Sequence, residues 1–251
     1  MPVFGFVGER DRSEPGETRP PREGFLETHF AEYDGPPPPA DVVDLGGKPV
    51  DVRVSRRGWV TVFNRGKAGR GFAFCHRCGY AGEGGRRRRA AQRPTHTVPD
   101  SSKECQGSVT ALHLGHRFLT NVMEIELAVD GGSTDRNTAA LSALHGMLAA
   151  LPIIGISQQD VGGALSVGVG GRPSVVIYDD VPGGAGHTRY IRKQLLEVVS
   201  GAVTRLMACS CGLETSCYGC LRNYRNQREH DLLNRGAAIE VLSALIRPVS
   251  G

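Results

Sequence analysis

The placement of seven cysteines constrains this chain more than any other feature of its sequence. Four of them, Cys209, Cys211, Cys217 and Cys220, follow the spacing C-x-C-x5-C-x2-C. Thiolates this close together complete a tetrahedral shell around one Zn2+ ion, and four of them leave no open position for catalysis. Four thiolates are also able to hold an iron–sulfur cluster, which would be brown whereas zinc is colourless. The spacing therefore favours structural zinc.

The other three cysteines predict a second zinc site with one ligand that is not a thiol. Cys75 and Cys78 form a C-x2-C pair, and Gly79 follows them as in a tight knuckle turn. Cys105 offers a third thiol across a loop, and His96 is our choice for the fourth ligand. Three other histidines suit the role less well: His76 lies between the two thiols, and His113 and His116 fall on or near a predicted strand.

The composition excludes some classes of protein. At 251 residues the chain is long enough to bury a core without metals, while glycine and proline (34 and 15 residues) make up about a fifth of it and indicate many loops. No apolar run approaches the ~18–20 residues of a membrane helix, and the first residues lack the apolar core of a signal peptide. We expect a soluble, cytoplasmic protein with no membrane partner.

The net charge of +4 conceals a strong segregation of charge along the chain. Residues 1–47 carry ten acids and four bases, whereas residues 51–93 carry twelve bases and two acids. This asymmetry predicts an acidic arm and a basic segment that faces nucleic acid. The alternative is a solvated loop whose arginines face water. The densest basic run is Arg86, Arg87, Arg88 and Arg89.

The pattern of apolar residues predicts an α/β or α+β protein in three parts. Residues 1–41 are predicted to be a flexible, acidic and proline-rich arm. Residues 42–110 contain short alternating apolar stretches between Gly- and Arg-rich turns, which predict a small zinc-ribbon-like β module with Trp59 in its core and an Arg-rich loop. Residues 111–251 predict a mixed sheet with helices, which ends in the four-cysteine knuckle.

Within this last part the elements are predicted individually. Alternation at Met123, Ile125, Leu127 and Val129 indicates a strand. Leucines at positions 141, 144, 148 and 151 indicate a helix that is capped at Thr134, Asp135 or Asn137. A hairpin across Gly170 and Gly171, a helix with Ile191, Leu195, Val199 and Leu206 facing inward, and a last helix over residues 231–246 complete the prediction.

A glycine-rich turn between a strand and a helix offers a candidate anion site. Gly183, Gly184 and Gly186 would let the backbone approach a phosphate of DNA, with His187 at the start of the helix. The alternative is a tight structural turn in which His187 and Asp180 act as caps. A hydrolase would use Asp180 and His187 as an acid/base pair, but no third partner for such chemistry is apparent.

The segment after the last cysteine is a candidate nucleic-acid edge. Arg222, Arg225 and Arg228 are able to contact phosphates, and Tyr224 is available for stacking on bases. The alternative is structural, since Arg and Asn side chains can lock the knuckle to the last helix by hydrogen bonds. We favour a mixed role.

Several motifs in one order resemble a known family. They are GFAFCHRCG, ECQG, LGHRFLTNVMEIEL, VVIYDDVPGGAGHTRYI and CSCGLETSCYGCLRNYRNQREHDLLNRGAA, across roughly residues 42–246. They resemble the zinc-binding C-terminal domain of bacterial DEAD/DEAH-box helicases, a family that includes MrfA-type repair helicases and the DrmB-like proteins of DISARM phage defence. The resemblance implies zinc at Cys209, Cys211, Cys217 and Cys220, with Cys75, Cys78 and Cys105 matching the upstream thiols, and association with ATP-driven work on DNA.

The chain departs from a complete helicase in one important respect. It contains no G-x4-G-K-[ST] phosphate loop and no DEAD/DEAH box, so we do not expect it to hydrolyse ATP. We expect a zinc-binding accessory module or fragment that helps a helicase subunit or core to engage DNA, in phage defence or DNA repair. The alternative is a protein–protein interaction scaffold without nucleic-acid contact, and a metal-dependent hydrolase is less favoured.

Overall fold

A computed structural model describes residues 25–67, 69–84, 96–127, 129, 135–168 and 172–246. The chain divides into two compact units. Unit 1 comprises Met1–Thr28 and Thr61–His116, and unit 2 comprises His29–Val60 and Arg117–Gly251.

The described residues form strands and helices in a mixed α/β order. The strands are β1 (Phe25–Tyr33), β2 (Asp41–Val43), β3 (Val50–Lys67), β4 (Phe72–Phe74), β5 (Ala81–Glu83), β6 (His96–Thr97), β7 (Glu104–Cys105), β8 (Thr110–Leu112), β9 (Leu114–Glu126), β10 (Val161–Val167) and β11 (Pro173–Asp179). The helices are α1 (Arg136–Ala150), α2 (His187–Lys193), α3 (Leu195–Met207) and α4 (Arg235–Ile246), with short 3-10 turns at Leu151–Ile154 and Gln227–Glu229.

The main sheet has the order β1-β3-β9-β11-β10, and β2 pairs with β3. Strands β10 and β11 form the predicted antiparallel hairpin, and β11 pairs antiparallel with β9. Met123, Ile125 and Leu127 are buried, as their alternation predicts. Residues 169–171, where the hairpin was predicted to turn, lie outside the described residues.

Helix α1 is the central helix of unit 2. Asp135 caps it as predicted, because its carboxylate accepts the backbone N–H of Thr138 at 3.1 Å. Every residue from 139 to 150 is buried, and α1 packs on α3, α4 and the β10–β11 hairpin. Arg136–Ile154 is the one described stretch long and apolar enough to cross a membrane, but 67% of it is buried in the protein. Its composition is that of a core helix.

The remaining helices follow the predicted pattern with different boundaries. Ile191, Leu195, Val199 and Leu206 are all buried, but the chain is divided at Gln194 into α2 and α3. The last helix begins at Arg235 instead of residue 231, because residues 227–234 form a 3-10 turn and a loop that continues from the knuckle.

Unit 1 contains two small sheets around the first cysteine cluster. Strand β4 pairs antiparallel with both β5 and β8, and β6 pairs antiparallel with β7. Short strands joined by turns agree with the expected zinc-ribbon-like module.

The two units divide the chain differently from the three predicted parts. Residues 1–24 of the predicted arm lie outside the described residues, but Phe25–Tyr33 form strand β1, consistent with their aromatic side chains. Residues 50–67 form one continuous strand, where the sequence analysis expected short strands separated by Gly- and Arg-rich turns. A Cβ at Gly58 would lie 2.4 Å from the Val122 side chain, so this glycine permits close packing within unit 2 and does not mark a turn.

Part of the basic segment is neutralised inside unit 2. Arg53 is buried and pairs with Glu126, and Glu124 lies 3.9 Å from the same guanidinium. Glu124 also accepts hydrogen bonds from the hydroxyls of Tyr33 and Ser174, both at 2.8 Å. Burial, together with the hydrogen bond to Glu124, raises the pKa of Tyr33. These groups stabilise the sheet and are not available to a ligand.

At the surface of this sheet, the structure differs from two predictions, the binding role of the basic segment and the location of Trp59. Arg57 pairs with Asp34 at 2.7 Å, which together with the Trp59 indole lowers the pKa of the Asp34 carboxyl. Trp59, expected in the core of the β module, is instead half-buried in unit 2, with the Arg117 guanidinium 4.3 Å from its ring centroid. Asp34 of the predicted arm therefore binds Arg57 of the basic segment.

Candidate metal centres and nucleic-acid interface

The first cysteine cluster lies in unit 1 and contains all four residues proposed from the sequence. The ligand atoms of Cys75, Cys78, His96 and Cys105 lie within 4.8 Å of one another. The Sγ atoms of Cys75 and Cys105 are 3.9 Å apart, and Nε2 of His96 is 3.2 Å from Sγ of Cys78. Three thiols and one imidazole are a donor set of structural zinc.

Local backbone geometry brings these ligands together. Gly79 has a left-handed conformation (φ 76°), and its N–H donates to the carbonyl of Cys75 at 2.9 Å, which closes the turn that holds Cys75 and Cys78. His96 and Cys105 face each other as a register pair in the β6–β7 ladder. The remaining histidines, His76, His113 and His116, are outside this donor set.

The thiols of this cluster differ in how readily they ionise. Burial alone would raise the pKa of Cys75, but the backbone N–H groups of Cys78 and Arg77 oppose it and lower the pKa to about 6. Burial raises the pKa of Cys78, and the neighbouring Cys105 thiol raises it further. A second negative charge beside the first is unfavourable, and a bound divalent cation removes that penalty.

Gly107 completes this site, and sequence reasoning missed it. Its N–H donates to Sγ of Cys105 at 3.3 Å. A Cβ at this position would lie 2.7 Å from Sγ of Cys75 and 3.2 Å from Sγ of Cys105. The motif ECQG carries the only sequence signal, a glycine two residues after a ligand.

Replacing Gly107 is expected to expel the first zinc ion. In Gly107→Ala the new methyl group would displace two ligand sulfurs, so the zinc content should fall from about two to about one per chain. Metal analysis of the purified variant measures this. Gln106→Ala is the neighbouring control, because Gln106 is exposed and its replacement by alanine adds no atom beside the thiols. Full zinc occupancy in Gly107→Ala would contradict the role of Gly107.

The second cluster lies in unit 2 and is formed by the four predicted cysteines. Sγ of Cys209 is 3.5 Å from Cys211 and 3.4 Å from Cys217, and Sγ of Cys220 is 3.7 and 3.8 Å from Cys211 and Cys217. A tetrahedral ion with Zn–S bonds of ~2.3 Å requires sulfurs about 3.8 Å apart. An iron–sulfur cluster distributes its thiolates over several irons and needs a wider arrangement. The geometry favours a single zinc ion.

A knuckle turn after α3 presents these thiols. The carbonyl of Cys217 accepts the N–H groups of Cys220, Leu221 and Arg222 at 3.0–3.1 Å. The N–H of Cys217 donates to Sγ of Cys220 at 3.2 Å. Hydrogen bonds from the backbone N–H of Cys211 and from the Cys217 thiol lower the pKa of Cys209 to about 7, whereas burial raises that of Cys211 to about 12.

Arg235 connects the knuckle to the helices, and this residue was not proposed from the sequence. Its buried guanidinium donates to the carbonyl of Leu206 in α3 at 2.8 Å and to that of Cys211 at 2.5 Å. Its backbone N–H donates to Thr215 at 2.9 Å, and that of Gly236 donates to Leu213 at 2.8 Å. The first N–H groups of α4 are thus satisfied by the knuckle loop.

The glycine-rich turn proposed as an anion site is occupied by a side chain of the protein itself. The fully buried Asp179 carboxylate accepts the N–H groups of Ala185 (2.6 Å), Gly186 (2.5 Å), His187 (3.2 Å) and Thr188 (2.9 Å). The N–H groups of Gly183 and Gly184 donate to the carbonyls of Leu119 and Val181. The turn therefore has an internal anion, and the helix cap is Asp179 where Asp180 was expected.

The arginines after the knuckle also have internal partners. Arg222 donates to the Ser216 hydroxyl at 2.9 Å and to the carbonyl of His230 at 3.4 Å. Arg225 pairs with Asp180 and donates to the carbonyls of Gln158, Gln159 and Val161 at 3.2–3.4 Å. These contacts support the structural role for both arginines. Asp180 is thus paired with Arg225, whereas the hydrolase alternative required Asp180 and His187 to act as an acid/base pair.

The other predicted nucleic-acid residues are placed as follows. Arg228 is partly buried in the 3-10 turn Gln227–Glu229. Arg86, Arg87, Arg88 and Arg89 lie outside the described residues.

Comparisons with known proteins agree with the zinc geometry. Residues 143–221 match the sequence model of the MrfA Zn-binding domain (MZB) family, and this segment holds all four thiols of the second cluster. The resemblance seen in the sequence is confirmed for this part of the chain.

Two longer proteins share more of the chain. It is 28% identical to the Druantia protein DruE of Escherichia coli (strain UMEA 4076-1), over 73% of this chain and 11% of that protein. Its fold resembles a crystal structure of the DUF1998 helicase MrfA bound to DNA, with a TM-score of 0.51 and 14% identity over 88% of this chain and 25% of that one. The chain thus spans about a tenth of DruE and a quarter of MrfA.

Proposed function

We propose that this chain is a zinc-binding module that helps a DEAD/DEAH-box helicase subunit or core to engage DNA, in phage defence or DNA repair. The matched zinc-binding family, and the likeness to a helicase solved with DNA, support association with a helicase. The role is architectural, since both donor sets offer four ligands to one ion and leave no coordination position for a substrate. Without a phosphate loop or DEAD/DEAH box, the chain itself does not hydrolyse ATP.

The observation that carries DNA engagement is a set of exposed arginine side chains in the described part of unit 1. Arg65, Arg70 and Arg77 are exposed, and none forms an ion pair within the described part of the chain. Arg77 lies between Cys75 and Cys78, so the first zinc site fixes its backbone. Arginines on a metal-fixed β module are suited to sequence-independent contact with phosphates.

Removing these charges is expected to weaken DNA binding in a salt-dependent manner. In the triple variant Arg65→Ala, Arg70→Ala and Arg77→Ala, the slope of log affinity against log salt should decrease by roughly 0.7–0.9 for each lost phosphate contact. Fluorescence anisotropy with labelled single-stranded and duplex DNA, over a series of salt concentrations, measures the slope. The four arginines at 86–89 are expected to add to the same term, and their combined alanine variant tests that part separately.

A control variant that removes the same number of positive charges separates the effect of direct phosphate contacts from the effect of net charge. The triple variant Arg136→Ala, Arg172→Ala and Arg189→Ala removes three exposed arginines of unit 2 that lie outside the basic segment. It should retain the parental slope. If both triple variants behave alike, unit 1 has no specific part in binding. If the parent itself does not bind DNA at low salt, the protein–protein scaffold replaces this proposal.

A further inference from the structure

A rigid turn follows the four-cysteine knuckle at residues 223–226. Oδ1 of Asn223 accepts the N–H groups of Arg225 (2.8 Å) and Asn226 (3.0 Å), and Oδ1 of Asn226 accepts the N–H of Asn223 (2.8 Å). Asn226 is buried, and its Nδ2 donates to the carbonyl of Leu221 at 2.9 Å. With the contacts of Arg225 to three carbonyls and Asp180, both sides of the turn are fixed.

This turn presents Tyr224 to solvent. Tyr224 is 83% exposed, more than any other large apolar side chain among the described residues. Its neighbours Asn223 and Arg225 use their side chains to hold the backbone, so the backbone that carries the ring loses little freedom when a ligand covers it. Such preorganisation reduces the entropic cost of binding.

A second exposed tyrosine is connected to this turn through His230. Tyr218 is 61% exposed, and its ring meets the edge of His230 at a centroid distance of 5.4 Å. Nε2 of His230 lies 3.2 Å from the carbonyl of Asn223 and 3.0 Å from Oδ1 of Asn226. We call Tyr218, Tyr224 and His230 the aromatic face.

The charges near the aromatic face indicate whether it binds the phosphates or the bases of a nucleic acid. Three arginines of this segment are opposed by three carboxylates, and a zinc ion with four thiolates carries a further net charge of about −2. The charges of this segment balance, so the exposed rings, and not a net positive charge, would carry binding at this face. The charged residues are Arg222, Arg225 and Arg228 against Asp180, Glu229 and Asp231.

We propose that the aromatic face stacks on the bases of single-stranded nucleic acid, with Tyr224 as the principal contact. The proposal rests on the DNA engagement proposed above and adds that the strand is unpaired at this face. Bases expose their ring faces only when a duplex is open, and stacking on an aromatic side chain tolerates any sequence. The arginines of unit 1 then supply the salt-dependent part of the binding free energy. Stacking on the aromatic face supplies a part that does not depend on salt.

Affinity for labelled oligo(dT), measured by fluorescence anisotropy over a series of salt concentrations, tests this. Tyr224→Ala should weaken binding about five- to hundredfold without changing the salt slope. Tyr224→Phe keeps the ring and should bind like the parent. Tyr190→Ala removes a 44% exposed tyrosine of α2 and is the matched control. Affinity for blunt duplex DNA should be the same in all variants.

The outcomes separate this proposal from the proposed function. If the parent binds oligo(dT) and Tyr224→Ala binds equally well, stacking is overturned while DNA engagement stands, and the aromatic face becomes a candidate protein contact. A parent that binds no DNA overturns the proposed function. Equal losses on oligo(dT) and duplex, with a lower melting temperature of Tyr224→Ala, overturn stacking in favour of a structural role.

Discussion

Cys217→Ser is expected to remove the zinc ion of the second cluster and to unfold unit 2. Structural zinc contributes about 10–16 kcal/mol in small metal-dependent folds, which is as large as the total stability of a typical domain, about 5–15 kcal/mol. The cluster packs against the core of unit 2, where Cys220 and Leu221 are each 1% exposed. Loss of the ion therefore affects the core as well as the loop.

The contacts of Arg235 explain why the damage spreads. Its guanidinium binds a carbonyl at the end of α3 and another within the cluster, and the knuckle loop accepts the first N–H groups of α4. Without the ion, the Cys211 carbonyl is no longer held in place, and a buried positive charge loses a partner. Such losses cost several kcal/mol in addition to the lost metal bonds.

Cys75→Ser provides the comparison, because it removes a ligand of the other cluster in unit 1. Both variants should contain about one zinc ion per chain by metal analysis. In calorimetry, Cys217→Ser should lose the unfolding transition of unit 2, and Cys75→Ser should retain it. Two zinc ions and an unchanged transition in Cys217→Ser would exclude the assigned role of the second cluster.

The metal centres could be predicted from the sequence because zinc imposes spacing on its ligands. The C-x2-C pair with a following glycine gave the turn at Cys75, and His96 could be selected by its distance along the chain from Cys105. Gly107 could not be identified from the sequence as part of the site. A residue without Cβ is needed there only because the fold places the sulfurs of Cys75 and Cys105 next to it. Arg235 was missed for the same reason, since its carbonyl partners come from distant segments.

Charge was the least reliable guide to function. Arg53 and Arg57 contribute to the basic segment in the sequence, but the fold pairs them with Glu126 and Asp34. Local composition does not show such partners, because Glu126 and Asp34 lie far from these arginines in the sequence. The helices and strands of residues 111–251 were predictable from the spacing of their apolar residues, although α1 and β11 are buried on more than the one face that this spacing marks.

The glycine-rich turn is a second case in which the sequence did not show which partner the fold supplies. A strand, a turn with glycines at positive φ and a helix start form an anion site whether the anion is a phosphate or a carboxylate of the chain. The sequence offered Asp179 and Asp180 side by side, and the buried strand β11 ends between them. Asp179 points into the protein and fills the site, and Asp180 remains partly exposed beside Arg225.

Asp179→Ala is accordingly expected to destabilise unit 2 by about 3–5 kcal/mol, because a buried N–H group left without an acceptor costs about 1–3 kcal/mol. Four backbone N–H groups, from Ala185 to Thr188, would be left without an acceptor. Asp179→Asn should recover only part of this, because an amide offers one oxygen and turns an N–H2 group towards N–H donors. Denaturant unfolding monitored by circular dichroism measures both losses.

The neighbouring residue supplies the control, and inorganic phosphate tests the competing role of the turn. Asp180→Ala removes a partly exposed ion pair with Arg225 and should cost less than about 1 kcal/mol. Inorganic phosphate should not raise the melting temperature of the parent, because the Asp179 carboxylate already occupies the N–H groups that a phosphate would need. An unchanged stability in Asp179→Ala, or a phosphate-dependent rise in the parent, would restore the turn as an external anion site. The expected result makes it part of the framework that holds α2 against β11.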